Sequence, residues 1–210
     1  MMDSKINDNL IDKIVEAISN LGCEYRQNQG LILSESDLKC LIYKEIYALL
    51  PQKLPTADDN ITGSPLHSEI PFYDENDELR LRPDITILDP RLLSIKHGIR
   101  VRIKNGKLTY DKLPSKGFEF GGNAIVIEIK FYKSKSGIQH RNLKTIKKDV
   151  KKIFRLRRRC NRHSVDNKIV GIIVIFNKGN KYHKSFHRFL RQNSRKEGLR
   201  VIYCKGNFAF

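Results

Sequence analysis

Asn-Ala-Ile-Val-Ile-Glu-Ile-Lys, residues 123–130, decides how the rest of this chain is read. Side chains alternate across a strand, so Ala124, Val126, Glu128 and Lys130 share one face while Ile125, Ile127 and Ile129 share the other. An apolar run this pure belongs in a sheet covered on both faces, where an unpaired carboxylate is expensive. Glu128 therefore needs a compensating charge, and a metal ion is one candidate.

The chain has 210 residues, enough for one well-packed core with an appendage. With 40% hydrophobic and 30% charged residues it is globular rather than disordered. Its net charge of +17 is divided unevenly: residues 1–90 hold 8 Lys/Arg against 17 Asp/Glu, and residues 91–210 hold 32 against 6. That asymmetry points to a polyanionic partner, nucleic acid first, with a membrane surface or solubility alone as other readings. Cys23, Cys40, Cys160 and Cys204 show neither a zinc spacing nor a disulfide framework and read as thiols of a reducing compartment. The amino terminus lacks the apolar core of a signal peptide, and the best apolar run, Ile169 to Phe176, is too short to span a bilayer. The expectation is a cytoplasmic protein with no membrane partner.

Outward from the opening strand, Leu10, Ile14, Ile18 and Leu21 share a helical face, and Gly22 follows as a natural stop. This helix packs on the main domain or on a second subunit, which leaves a homodimer open. A second helix is expected from near Ser36 to Leu50, with Leu38, Leu41, Ile42, Ile46 and Leu49 inward. Glu45 falls on that stripe, as a salt-bridged core residue or as a ligand. Residues 52–65 read as a loop, Leu66 to Phe72 as a strand, Asp74 to Glu78 as an acidic turn, and Leu79 to Leu88 as a strand carrying Arg82-Pro83-Asp84-Ile85. Pro83 lacks a donor and marks a strand start, an edge or a bulge. His67 and Glu69 share a face of the preceding strand, with structural roles favoured for both.

Ile99, Val101 and Ile103 alternate with Arg100, Arg102 and Lys104 before an Asn105-Gly106 turn, so a basic β-hairpin is inserted within residues 91–120. It is either a solvated decoration or a finger that reaches phosphates. After the opening strand, a helix from about Gln139 to Asn161 buries Leu143, Ile146, Val150 and Ile153. Residues 133–162 hold 13 Lys/Arg and a single acid, Asp149, a face that repels itself unless an anion is present. Ile169 to Phe176 is a further apolar strand, Tyr182 to Lys196 a second basic helix, and Leu199 to Cys204 a last strand. His183 and His187, four apart on that helix, read as surface or phosphate-facing residues.

This order gives an α/β sandwich with a mixed sheet. Asp84 and Glu128 fall on neighbouring strands with Lys130 beside them. Two converging carboxylates make a hard-oxygen site suited to Mg²⁺ or Mn²⁺, and the ammonium can orient water and balance charge at a phosphodiester.

Pro83-Asp84 followed by Glu128-Ile129-Lys130 at the end of an apolar strand resembles the PD-(D/E)xK nuclease superfamily. The resemblance covers roughly residues 36–204, although its specific motif is short. It implies a restriction-endonuclease-like α/β sandwich at residues 34–210, here with the inserted hairpin and an N-terminal helical extension at residues 1–33. It implies that Asp84 and Glu128 bind the metal together with the Ile129 carbonyl, that Lys130 assists the attacking water, and that Glu45 occupies the place of an extra helix acid. It also implies DNA as the partner and a deoxyribonuclease, with an endonuclease as the expectation. Lys133, Lys144, Lys148, Lys151 and Arg155 are the candidate backbone contacts. Two departures stand out. Asp84 and Glu128 are 44 residues apart, and Leu143 follows Gln139 where the family's exonuclease branch carries a Tyr. A non-catalytic nucleic-acid-binding module on the same fold, and an RNA-directed nuclease, are the alternatives.

Overall fold

In the computed structural model, residues 6–58, 60–73, 79–94, 99–104, 107–112, 118–163, 168–194 and 196–208 are described. The expected acidic turn at 74–78 and the Asn105-Gly106 turn lie outside the described residues. The core is a five-stranded mixed sheet built from β1 (Leu66–Ser68), β2 (Ile85–Leu88), β3 (Ala124–Tyr132), β4 (Ile169–Gly179) and β5 (Leu199–Phe208). They lie in the order β5-β4-β3-β2-β1. The pairs β1–β2 and β2–β3 are antiparallel, while β3–β4 and β4–β5 are parallel. Parallel neighbours need crossovers, supplied here by helices α3 (His140–His163) and α4 (Lys184–Asn193).

Both faces of β3 are covered, as its composition requires. Ile125, Ile127, Ile129 and Phe131 join one apolar cluster with helices α1 (Asp8–Gln27) and α2 (Glu35–Leu49). Ala124 and Val126 join another with Leu143, Ile146, Val150, Ile153 and Leu156 of α3 and Phe186 and Phe189 of α4. Glu128 and Lys130 therefore face α3. Among the described residues no helix is long and apolar enough to cross a membrane.

Four local expectations change. Gly22 does not end α1, which runs on to Gln27. The glycine is there because α1 lies close over β5: a methyl at that position would overlap the Cys204 side chain. Tyr25, one turn further on, is fully buried against Phe131 and Phe176, so residues 11–32 of the expected extension contribute directly to the core. Helix α2 is capped by Ser34, two residues before Ser36: Ser34 Oγ accepts from the Asp37 N–H at 3.0 Å, and Asp37 Oδ2 accepts from the Ser34 N–H at 2.9 Å. The strand expected over Leu79–Leu88 is broken at Arg82-Pro83-Asp84 into Leu79–Leu81 and Ile85–Leu88. The strand expected from Leu66 to Phe72 is likewise divided, with Phe72–Tyr73 pairing Leu79–Leu81 in a separate ribbon. The inserted segment does form an antiparallel hairpin, Ile99–Lys104 against Lys107–Lys112.

Gly22→Ala is expected to destabilise the fold by about 1–3 kcal/mol through overpacking against Cys204. Urea unfolding of the variant beside wild type measures this directly.

Candidate active site at the ends of β2 and β3

The site arises from a mismatch in strand length. Strand β2 begins at Ile85, opposite Ile127, whereas β3 continues five residues further to Tyr132. Continuing that register sets Asp84 opposite Glu128, and directly opposed residues of an antiparallel pair project from the same face. Beyond the end of β2, the backbone N–H groups of β3 that point toward it have no strand to pair with. Two carboxylates take them: the Ile129 N–H donates to Asp84 Oδ2 at 2.7 Å, and the Phe131 N–H donates to Glu35 Oε2 at 3.1 Å.

Glu128 is 2% exposed, and Lys152 of α3 places its Nζ 2.6 Å from Glu128 Oε1. Burial pushes the Glu128 carboxyl up from the ordinary 4.5 to about 7, against the pull of Lys152 and with the help of Asp149 and Asp84. The same Lys152 ammonium donates to the Arg82 carbonyl at 3.0 Å, tying α3 to the segment that carries Asp84. Lys130 turns elsewhere. Its Nζ donates to its neighbour's carbonyl, Ile129 O, at 2.9 Å and lies 3.2 Å from Asp149 Oδ2. Burial alone would lower the Lys130 ammonium, but Asp149, Glu35 and Asp84 outweigh it and the net direction is upward.

Of the residues singled out from sequence, Asp84, Glu128, Ile129 and Lys130 are brought together. Glu45 is not. It lies ten residues along α2 from Glu35, about 15 Å of helix, off the buried Leu38–Ile42–Ile46 stripe, and pairs with Lys44 at 3.9 Å. The α2 acid that reaches β3 is Glu35, at the first turn of the helix. Glu69 forms an ion pair with Lys39 of α2, and its own N–H donates to the Asp84 carbonyl at 3.1 Å. Its φ of 55° is in the left-handed region, so this bend is held in place by those contacts. His67 is half-buried, and burial lowers its imidazole.

Sequence reasoning missed Asp149 and Lys152. A signal was present: Ile146, Asp149, Ile153 and Leu156 are spaced 3, 4 and 3, so the one acid of α3 sits on its buried stripe. Leu143 is 3% exposed in the core under α3. Of the proposed phosphate contacts, Lys133, Lys144, Lys148 and Lys151 are exposed and Arg155 is half-buried.

Among the described residues, no group of three or more His, Cys, Asp or Glu side chains has the closeness of a ready-made metal cluster. The donor chemistry nevertheless fits a hard divalent cation: Asp84 and Glu128 on one face, with the Ile129 carbonyl beside them. So does the charge. Glu35, Asp84, Glu128 and Asp149 outnumber the two ammoniums set among them, Lys130 and Lys152. Comparison with known proteins finds no matching family model, no similar curated protein and no similar solved structure.

Lys152→Met should destabilise the protein by about 3 kcal/mol, because it leaves Glu128 buried without its cation. Adding Glu128→Gln should recover at least half of that loss. An acid whose folded pKa is raised contributes its full stability below the unfolded value and loses it as pH rises through the folded one. Lys152 holds the Glu128 value down, so its loss raises that value above the wild type's, and the deficit of the single variant should grow as pH rises above about 7, where wild type ionises Glu128 against its cation. Urea titrations at several pH values test both points.

Proposed function

We propose that this chain is a divalent-metal-dependent nuclease of the PD-(D/E)xK, restriction-endonuclease-like kind, which hydrolyses DNA phosphodiester bonds internally. The observation that carries the reading is the meeting of Asp84 and Glu128 on one face where β3 runs on past the start of β2, with Lys152 against Glu128, Lys130 two residues along the strand and the basic helix α3 directly above. Fold class supports it at the coarser level: a mixed sheet between two helical layers, with Glu128 on the central strand and Asp84 just before the start of the neighbouring β2.

In this reading Asp84, Glu128 and the Ile129 carbonyl hold Mg²⁺ or Mn²⁺, which when bound supplies a Lewis acid to the scissile phosphate. Lys130 and Lys152 lie within the same cluster and offset negative charge as the phosphodiester is attacked. Burial keeps the cluster away from bulk water, which strengthens each of these electrostatic effects. Lys144, Lys148 and Lys151 line the solvent side of α3, while Asp149, the single acid of that helix, faces inward. The outer face is thus uniformly basic and suited to phosphate contacts that carry affinity without reading sequence.

Supercoiled, linear and single-stranded DNA, and a matched RNA, should be incubated with Mg²⁺ or Mn²⁺. The expected outcome is cleavage of the supercoiled circle, abolished by chelation. Asp84→Ala should lower the rate by more than about 100-fold, since residues that merely support a metal ligand are worth about 10–100-fold. Its DNA affinity should stay within a few-fold of wild type. Cleavage by Asp84→Ala at the wild-type rate overturns the assignment, and preferential cleavage of RNA replaces the substrate.

Charge reversal at Lys144, Lys148 and Lys151 together should weaken DNA binding and flatten the slope of log affinity against log salt by about 2–3 units. Fluorescence anisotropy across a salt series reads out both effects.

A further inference from the structure

The charged side chains of β3 and α3 form an alternating chain. Glu128 faces Lys152 at 2.6 Å, Lys152 faces Asp149 at 3.9 Å, and Asp149 faces Lys130 at 3.2 Å. The strand supplies one acid and one base two residues apart, and the helix supplies one of each three residues apart. Both ammoniums are largely covered, with side chains 16% exposed for Lys130 and 22% for Lys152. Two partly buried cations at adjacent positions repel each other unless an anion separates them, and Asp149 is that anion.

We propose that Asp149 is a positioning residue: it holds the Lys130 ammonium on the Ile129 carbonyl and keeps the Lys152 ammonium turned to Glu128. Three observations carry this assignment. Asp149 is the single acid in the 24 residues of α3. It is 8% exposed, and so does not serve the solvent face. Its two carboxylate oxygens divide between the two lysines, Oδ2 toward Lys130 and Oδ1 toward Lys152. With a neutral amide in its place, the two ammoniums lose the charge between them, and Lys130 keeps a carbonyl as its one partner among the described contacts. The Ile129 carbonyl is the backbone atom proposed to face the cation, so the placement of Lys130 is also the placement of charge beside that oxygen. The kinetic part of this inference rests on the nuclease reading, whereas the placement of the two lysines does not.

The test compares wild type with Asp149→Asn, Asp149→Glu, Lys130→Met and the Asn/Met double variant. Two readouts are taken: cleavage kinetics in Mg²⁺, and the side-chain NH₃⁺ signals of ¹⁵N-lysine-labelled protein by NMR. The Lys130 signal is assigned by its disappearance in Lys130→Met. Asp149→Asn is expected to lower kcat by about 10–100-fold, as for other residues that orient a working group. KM should stay within about two-fold, because the lost interaction does not contribute to ground-state binding. Asp149→Glu should restore most of the rate. In the Lys130→Met background, Asp149→Asn should cost several-fold less than it does in wild type, since the part of its effect that acts through Lys130 is already lost.

The Lys130 ammonium signal should be resolved in wild type, broadened away in Asp149→Asn, and present but shifted in Asp149→Glu. An unchanged signal in Asp149→Asn, or the full rate loss in the Lys130→Met background, overturns the proposal. If Asp149→Asn does not fold, Asp149→Glu decides: an unshifted Lys130 signal in that folded variant overturns it. Absence of any cleavage by wild type in Mg²⁺ or Mn²⁺ removes the nuclease reading alone, and the NMR signature then decides the placement of the lysines.

Discussion

Strand β3 outruns its antiparallel neighbour, and the rest of the site depends on that inequality. Pro83 has no backbone N–H to offer a ladder, so β2 starts only at Ile85 while β3 continues to Tyr132. Backbone N–H groups left open inside a protein must find acceptors. Here the acceptors are the Asp84 and Glu35 carboxylates. Acids are thereby drawn to one corner of the sheet, where Glu128 is already buried, and α3 answers with Lys152. Backbone geometry comes first, acids second and cations third.

Helix α3 has two electrostatic faces with opposite tasks. Inward, Asp149 and Lys152 complete a network with β3. Outward, the exposed residues include Lys144, Lys147, Lys148 and Lys151 and no acid. A helix is stiff over this length, and its apolar stripe from Leu143 to Leu156 is locked onto the sheet. Phosphate contacts on the outer face and charges on the inner face are therefore held in a fixed relation.

Much of this architecture was legible in the sequence. The purity of the 124–132 and 169–176 runs required a sheet covered twice, and the stripes of α1, α2 and α3 required helices to cover it. The meeting of Asp84 with Glu128 followed from their placement on strands. The partners of those residues were harder to see. Lys152 belongs to a helix crowded with lysines, and periodicity separates an inward lysine from its neighbours poorly, since a long side chain can reach back under its own helix. Glu45 was misleading for a related reason: it borders the apolar stripe of α2, yet the axial distance that keeps it from the site depends on where α2 lies across β3. Glu35 looks from sequence like an ordinary first-turn acid, favoured there by the helix dipole. The end of α1 was misread because Gly22 serves a close approach by Cys204, a contact between residues 182 positions apart.

The chain between the two opposed acids contains the hairpin Ile99–Lys104/Lys107–Lys112 and a small ribbon, Leu93–Ser94 with Glu119–Phe120, near its base. Closing a loop costs entropy that grows only with the logarithm of its length, about 0.6 kcal/mol for each doubling. The 44 positions separating Asp84 from Glu128 are therefore a cheap detour for the fold. Since β2–β3 pairing fixes the register at Ile85 and Ile127 whatever the detour contains, the segment is free to lengthen, shorten or be exchanged while the corner that holds the acids stays as it is. The appendage and the acid-bearing corner can in this way vary independently of each other.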